Sequence, residues 1–252
     1  MLKYGLWAEN GGTPIRQADS SKPPIIERLN TLHHLHNQPR IENAPQTAGN
    51  TIHWASQYDR ITGLLGLGSN GRNSRMVIEL AKVKPGDRVL DVGCGTGSLT
   101  LTAVPFAGPG GIVYGIDAAP EMIEVAKKKA SRAGREVVFE VGLIERLAFP
   151  DATFDIVISR LAIHHLPDDL KRMGFAEFLR VLKPGGKLLI ADFNPPTNPV
   201  LNHITSALVG SHMMQTNIWS LPALLASAGF VEITSGPTRS AFLAFVSAKK
   251  PG

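Results

Sequence analysis

Cysteine is nearly absent: Cys94 stands alone in 252 residues, which excludes an internal disulfide and suits a reducing compartment. No apolar run approaches the ~20 residues that span a bilayer. The opening Met1-Leu2-Lys3-Tyr4-Gly5-Leu6-Trp7 gives way at once to Glu9-Asn10-Gly11-Gly12, without the apolar core of a signal peptide. A cytoplasmic protein with no transmembrane segment is therefore expected, with peripheral membrane contact left open. Aromatic residues are scarce at 6% and charged ones make up 19%, against 43% hydrophobic, an ordinary balance for a globular chain. That length supports one large domain with an ample core, or a domain plus an appendage.

Acidic residues are outnumbered, leaving a net charge of +5 and a pI near 9.4. The densest basic run, Lys127-Lys128-Lys129 with Arg132 and Arg135, falls in and just after one predicted helix. Without interleaved aromatics it reads as a solvated helix face rather than a nucleic-acid surface, and no nucleic acid is expected as a partner.

Residues 1–50 lack periodicity and are punctuated by Pro14, Pro23, Pro24, Pro39 and Pro45, so an irregular arm is expected there. His33, His34 and His36 lie within it, with neither Cys nor a clear carboxylate partner to complete a metal site. Over 51–84 the pattern turns helical, with Trp54, Tyr58, Ile61, Leu64 and Leu65 at three- and four-residue spacing, and Arg75–Lys82 resuming after glycines. Strands are expected at Arg88–Val92, Ile112–Ile116, Val137–Val141, Phe154–Ser159 and Lys187–Phe193. Helices should run from Ser98 to about Ala107, from Pro120 to Gly134, and to Leu182 from a cap at Asp168 or Asp169. Near-continuous apolar strands alternating with helices specify a parallel sheet covered on both faces. Val200–Met214 and Leu221–Ala228 read as helices, with 198–219 a helical insertion. Val231–Ser235 and Ala241–Ala248 are separated by too few residues for a crossover, so they should form an antiparallel hairpin at a sheet edge. The fold class is thus α/β: a Rossmann-like seven-stranded sheet, mostly parallel, with an antiparallel C-terminal strand and helices on both faces. Residues 85–252 form its domain.

The chain is organised around Arg88-Val89-Leu90-Asp91-Val92-Gly93-Cys94-Gly95-Thr96-Gly97-Ser98, a strand, a three-glycine turn and a helix start. Such a turn is expected to leave backbone N–H groups and a positive helix end facing a nucleotide-like ligand. Dinucleotide binding asks for G-x-G-x-x-G, and position 98 is Ser, so that cofactor starts at a disadvantage. Asp117, at the end of the second strand, is placed to accept from ribose hydroxyls.

Val89–Gly97 resembles the signature of class I S-adenosylmethionine-dependent methyltransferases. Gly115-Ile116-Asp117, Phe154-Asp155-Ile156-Val157 and Leu179-Arg180-Val181-Leu182-Lys183-Pro184-Gly185-Gly186 match that family's later segments in order, and the resemblance covers roughly residues 75–248. Trp54, Ala55, Tyr58 and Asp59, with His164-His165-Leu166-Pro167, are similar to the branch that includes ubiquinone and menaquinone C-methyltransferases. The resemblance implies S-adenosyl-L-methionine as cofactor and S-adenosyl-L-homocysteine as product. It implies that Gly93 and Gly95, with Cys94 and Gly97 in the same loop, approach the methionine portion closely, where a Cβ on the glycines would collide. Asp91 would sit by the ammonium, Asp117 on the ribose, Ala118 and Met122 near adenine. Where the family often reads Gly-Asp-Ala after strand three, this chain has Gly142-Leu143-Ile144, so adenine would be held by apolar packing and backbone N–H groups. Ser159 and a lid residue, Tyr58, complete the expected cofactor set.

His165, ahead of His164, is the expected catalytic base, since both follow strand four where an acceptor should meet the methyl group. Asn194-Pro195-Pro196 follows strand five rather than strand four, so it reads as a turn and not as the motif of nucleic-acid amino methyltransferases. The expected function is methylation of a small hydrophobic acceptor, quinone-, lipid- or natural-product-like. An RNA or protein methyltransferase, or a non-catalytic S-adenosylmethionine-binding module, stands as the alternative.

Overall fold

The structure, a computed structural model, describes residues 71–195, 217–240 and 242–252. The expected N-terminal arm, the lid up to residue 70 with Trp54 and Tyr58, and the helix expected at Val200–Met214 lie outside the described residues. Within them the chain runs α1 (Gly71–Ala81), β1 (Arg88–Val92), α2 (Ser98–Ala107), β2 (Ile112–Asp117), α3 (Pro120–Arg132), β3 (Val138–Val141), β4 (Phe154–Arg160), α4 (Asp168–Val181), β5 (Leu182–Phe193), α5 (Leu221–Ser227), β6 (Val231–Pro237) and β7 (Leu243–Lys249). Short 3₁₀ turns sit at Ile163–His165 and Ile218–Ser220.

The strands form one sheet in the order β3-β2-β1-β4-β5-β7-β6. Strands β1 to β5 pair in parallel, and β7 runs antiparallel to both β5 and β6. The chain therefore starts in the middle at β1, winds outward to β3 and returns to β4. The crevice where the winding reverses lies at the carboxyl ends of β1 and β4, the usual ligand position in open α/β sheets.

Alternation along each strand sends side chains to two cores. Val89, Ile156, Ile158, Leu189 and Ala191 meet Val77 and Ile78 of α1 and Leu99 and Ala103 of α2. Leu90, Val157, Leu188 and Ile190 meet Phe175 and Phe178 of α4 and Leu221 and Leu225 of α5. Phe139 of β3 packs with Ile123, Ala126 and Ala130 of α3, where Leu101 of α2 also rests. The two cores are why the strands are apolar on both faces.

Two expectations about α4 change. Its N-cap is Pro167, with no side-chain cap; Asp168 is instead the first helical residue and pairs with Lys171 at 2.9 Å. At its far end, Lys183-Pro184-Gly185-Gly186 is an irregular part of β5: the pairing slips between Phe154↔Leu182 and Ile156↔Lys187. Arg180 fastens this corner, donating to the carbonyls of Leu147 and Phe149 and to the carboxylates of Glu177 and Asp151.

Candidate active site

At the reversal point β1 delivers Asp91, fully buried, with Oδ2 accepting from Thr100 Oγ1 of α2 at 2.6 Å. Its other oxygen, Oδ1, has no hydrogen-bond partner among the described residues. A buried carboxylate oxygen without a donor is costly. Burial pushes the Asp91 pKa up to about 7, Thr100 and Arg160 pull it down, and Asp117 adds to the rise. A cation placed against Oδ1 would relieve this.

The glycine turn differs from expectation in an informative way. The N–H groups of Gly93 and Cys94 both donate to the carbonyl of Ile116, at 2.9 Å each, Gly95 N–H to Asp117 Oδ2 at 2.9 Å, and Gly97 N–H to the carbonyl of Cys94 at 3.0 Å. These donors face the protein, not a ligand. A pyrophosphate would need them; a ligand without phosphate does not. The reason for glycine also shifts. A Cβ on Gly93 would lie 2.4 Å from Cβ of Ala162, and one on Gly97 would lie 2.7 Å from Cζ of Phe139. Both residues have positive φ (72° and 79°). The close approach is to this chain's own atoms.

Asp117, half-buried at the end of β2, accepts from the N–H groups of Gly95 and Ala119, each at 2.9 Å. Enclosure raises its pKa while those two donors oppose the rise. A carboxylate has about four lone-pair sites, so the side facing out of the turn can still accept from a diol. Next to it, Ala118 is half-buried and Met122 is buried against Ala119 and Val125.

Other expected residues turn elsewhere. Cys94 points its sulfur into the cluster with Ile123, Ala126 and Phe139, where burial raises its thiol pKa, so only its backbone belongs to the turn. Ser159 is buried and its hydroxyl donates to the carbonyl of Val92 at 2.8 Å, joining β4 to β1. Ile144 packs its side chain on Gly174 of α4, where a glycine Cβ would come within 3.0 Å of it. Leu143 forms an isolated bridge with Arg146 and is half-buried. Asn194 accepts from Trp219 Nε1 at 3.2 Å and donates its N–H to Phe242, which fixes the turn after β5.

On the β4–β5 side, His164 is buried and its Nδ1 lies 2.6 Å from Asp192 Oδ1, while its backbone N–H donates to Asp192 Oδ2 at 3.0 Å. The His165 ring rests on that of His164, centroids 3.9 Å apart. Of the two histidines, it is His164 that has the carboxylate partner. Arg160 donates to the buried Ser74 of α1 at 3.0 Å and bears on Asp91 from the end of β4. Neither Asp192 nor Arg160 was singled out in the sequence. The signal for Asp192 was there: like Asp91 and Asp117, it is a lone acid at the carboxyl end of an apolar strand.

Residues 83–224 match a family described as "Methyltransferase domain". The chain belongs to that family. It is 39% identical over 142 residues to demethylmenaquinone methyltransferase of Thermus thermophilus, covering 56% of this chain and 63% of that one. It thus spans just under two thirds of that relative's length. It is 32% identical over 225 residues to the ubiquinone/menaquinone biosynthesis C-methyltransferase UbiE of Pseudomonas fluorescens, covering 79% of this chain and 86% of that protein. Its fold is also that of a SAM-dependent methyltransferase from Aquifex aeolicus, with a TM-score of 0.58 at 23% identity over 76% of this chain and 97% of that one. Members of this class use S-adenosylmethionine, which carries an ammonium, a ribose diol and no phosphate. The residues present fit it: the N–H groups of Gly93, Cys94, Gly95 and Gly97 are already engaged within the protein, and the orphaned Oδ1 of Asp91 wants a cation.

Proposed function

We propose that this protein transfers a methyl group from S-adenosylmethionine to a small hydrophobic acceptor, quinone-like as in the names of its relatives. The buried, half-satisfied carboxylate of Asp91, beside a turn whose glycine N–H groups bond within the protein, is the observation that carries this reading. When bound, the donor supplies an electrophilic methyl group on sulfur. Asp91 takes the ammonium, Gly93, Cys94, Gly95 and Gly97 form the wall along the methionine portion, and Asp117 takes the ribose hydroxyls. Ala118, Met122, Leu143 and Ile144 flank adenine, the last through its backbone, with Ser159 bracing β4 below. His164 and His165 stand at the acceptor end.

The test is calorimetric titration of S-adenosylmethionine followed by radiolabelled methyl transfer to a reduced naphthoquinone lacking its ring methyl. Binding without transfer to this or a broad acceptor panel would point to a non-catalytic module. Asp117→Ala should weaken donor binding by about tenfold to a hundredfold and abolish turnover at modest donor concentration. Unchanged kinetics would remove Asp117 from the site. Leu143→Asp would add an acceptor for the adenine amine, and binding is expected to hold or tighten; severe weakening by calorimetry would count against adenine lying there.

A further inference from the structure

Asp192 grips one residue twice. Its Oδ2 accepts from the backbone N–H of His164 at 3.0 Å, its Oδ1 stands 2.6 Å from the same residue's Nδ1, and Oδ1 also accepts from the N–H of Phe193 at 2.7 Å. Asp192 is 1% exposed and His164 8%. The pair hangs between neighbouring strands, His164 just beyond β4 and Asp192 at the end of β5, where Arg160 and Ala191 are in register. It is also adjacent to the donor turn, because Gly93 abuts Ala162, two residues before His164.

An ionised carboxylate only accepts hydrogen bonds, so the nitrogen facing it must be the one that bears hydrogen. The nitrogen left basic on a neutral ring is then Nε2. We propose that Asp192 is a positioning residue that locks His164 in the Nδ1–H tautomer, making Nε2 the general base, and that the acceptor is therefore a hydroxylated aromatic or enol that loses a proton as it is methylated. This rests on the methyltransferase reading above.

The step balances. The acceptor's hydroxyl proton passes to Nε2 of His164, and the electron pair so released is shared by the oxygen and the ring carbon conjugated with it. One of those atoms bonds the methyl carbon as the methyl–sulfur bond breaks with its pair going to sulfur. The imidazolium, held by Asp192, then returns its proton to solvent. Where carbon is methylated, the ring regains its hydroxyl by losing the proton from that carbon, so one proton leaves per methyl gained. An amine acceptor, which attacks with a ready lone pair, would have less need of such a base.

Long-range proton–nitrogen NMR on histidine-labelled full-length protein, with His164 assigned by His164→Gln, reads the tautomer without any turnover. A protonated Nδ1 and bare Nε2 at neutral pH are expected; a protonated Nε2 overturns the assignment. In Asp192→Asn, turnover of the reduced naphthoquinone should fall about a hundredfold or more with the donor dissociation constant unchanged. The acidic limb of kcat/KM should shift, and Asp192→Glu should recover part of the loss. His165, its ring centroid 3.9 Å from that of His164 and tilted by 43°, is the other titratable ring facing this base, so the limb is also read in His165→Gln, where its disappearance would assign it to His165 and overturn the role of His164. Turnover of Asp192→Asn within threefold of wild type would overturn the positioning role. Failure of the wild-type protein to bind S-adenosylmethionine would bring down the functional reading itself, which the tautomer measurement distinguishes from failure of the Asp192 assignment.

Discussion

Asp91→Asn is expected to raise the thermal stability of the ligand-free protein at pH 8 while weakening S-adenosylmethionine binding by about tenfold to a hundredfold. The two effects have one cause. Asp91 is buried, and its pKa rises from 3.8 to about 7 in the folded chain. The folded state therefore holds a proton that the unfolded state releases, and stability is lost as pH rises through that window. By pH 8 the loss is on the order of 4 kcal/mol. Asparagine keeps an oxygen for the Thr100 hydroxyl and removes the charge, but sets an amide donor where Oδ1 was, at a cost of about 1–3 kcal/mol. A net gain of about 1–3 kcal/mol at pH 8 is left. Near pH 5 wild-type Asp91 is already protonated and the gain should vanish. Thermal melts at the two pH values check this, and equal destabilisation at both would show that the carboxylate carries no burden. Donor binding should mirror it: an ammonium against Oδ1 favours the charged carboxyl, so wild-type affinity rises from about pH 6 to pH 8. Binding near the lower value releases a proton, which calorimetry in buffers of different ionisation heat detects. The variant should show neither effect.

That trade between stability and binding is partly readable in the sequence and partly not. Asp91 and Asp117 stand out as single acids closing apolar strands, and their strands fall within a residue of expectation because turns such as Lys84-Pro85-Gly86-Asp87 bound them sharply. What the acids touch is another matter. The Thr100 contact follows from local sequence, nine residues on. The pairing of Asp192 with His164 joins residues 28 apart through the lateral order of β4 and β5, which a strand pattern does not specify. Cys94 shows the same limit at short range. Its place in the turn was legible, but its side chain faces Phe139 and α3 rather than the ligand side. The β7–β6 hairpin, by contrast, followed from loop length alone, because a few residues cannot cross a sheet.

The glycine at 93 offers the sharpest check on why this turn is built as it is. Gly93→Ala places a methyl group 2.4 Å from that of Ala162 and forces alanine into a backbone with φ of 72°. Left-handed backbone costs about 1–2 kcal/mol for a non-glycine residue, and overpacking adds about 1–3 kcal/mol. Gly93→Ala should therefore lower unfolding free energy by about 2–5 kcal/mol. Gly93→Ala with Ala162→Gly removes the collision and leaves the backbone strain, so it should recover the packing part and only that part. A double-mutant cycle in denaturant measures the difference as a coupling of about 1–3 kcal/mol. Zero coupling would mean that the two segments do not bear on each other. Coupling of that size ties the donor turn to the segment that carries His164. In that case Gly93→Ala, unlike a generic destabilising change, should also lower turnover at saturating donor, because displacing Ala162 displaces the base two residues beyond it.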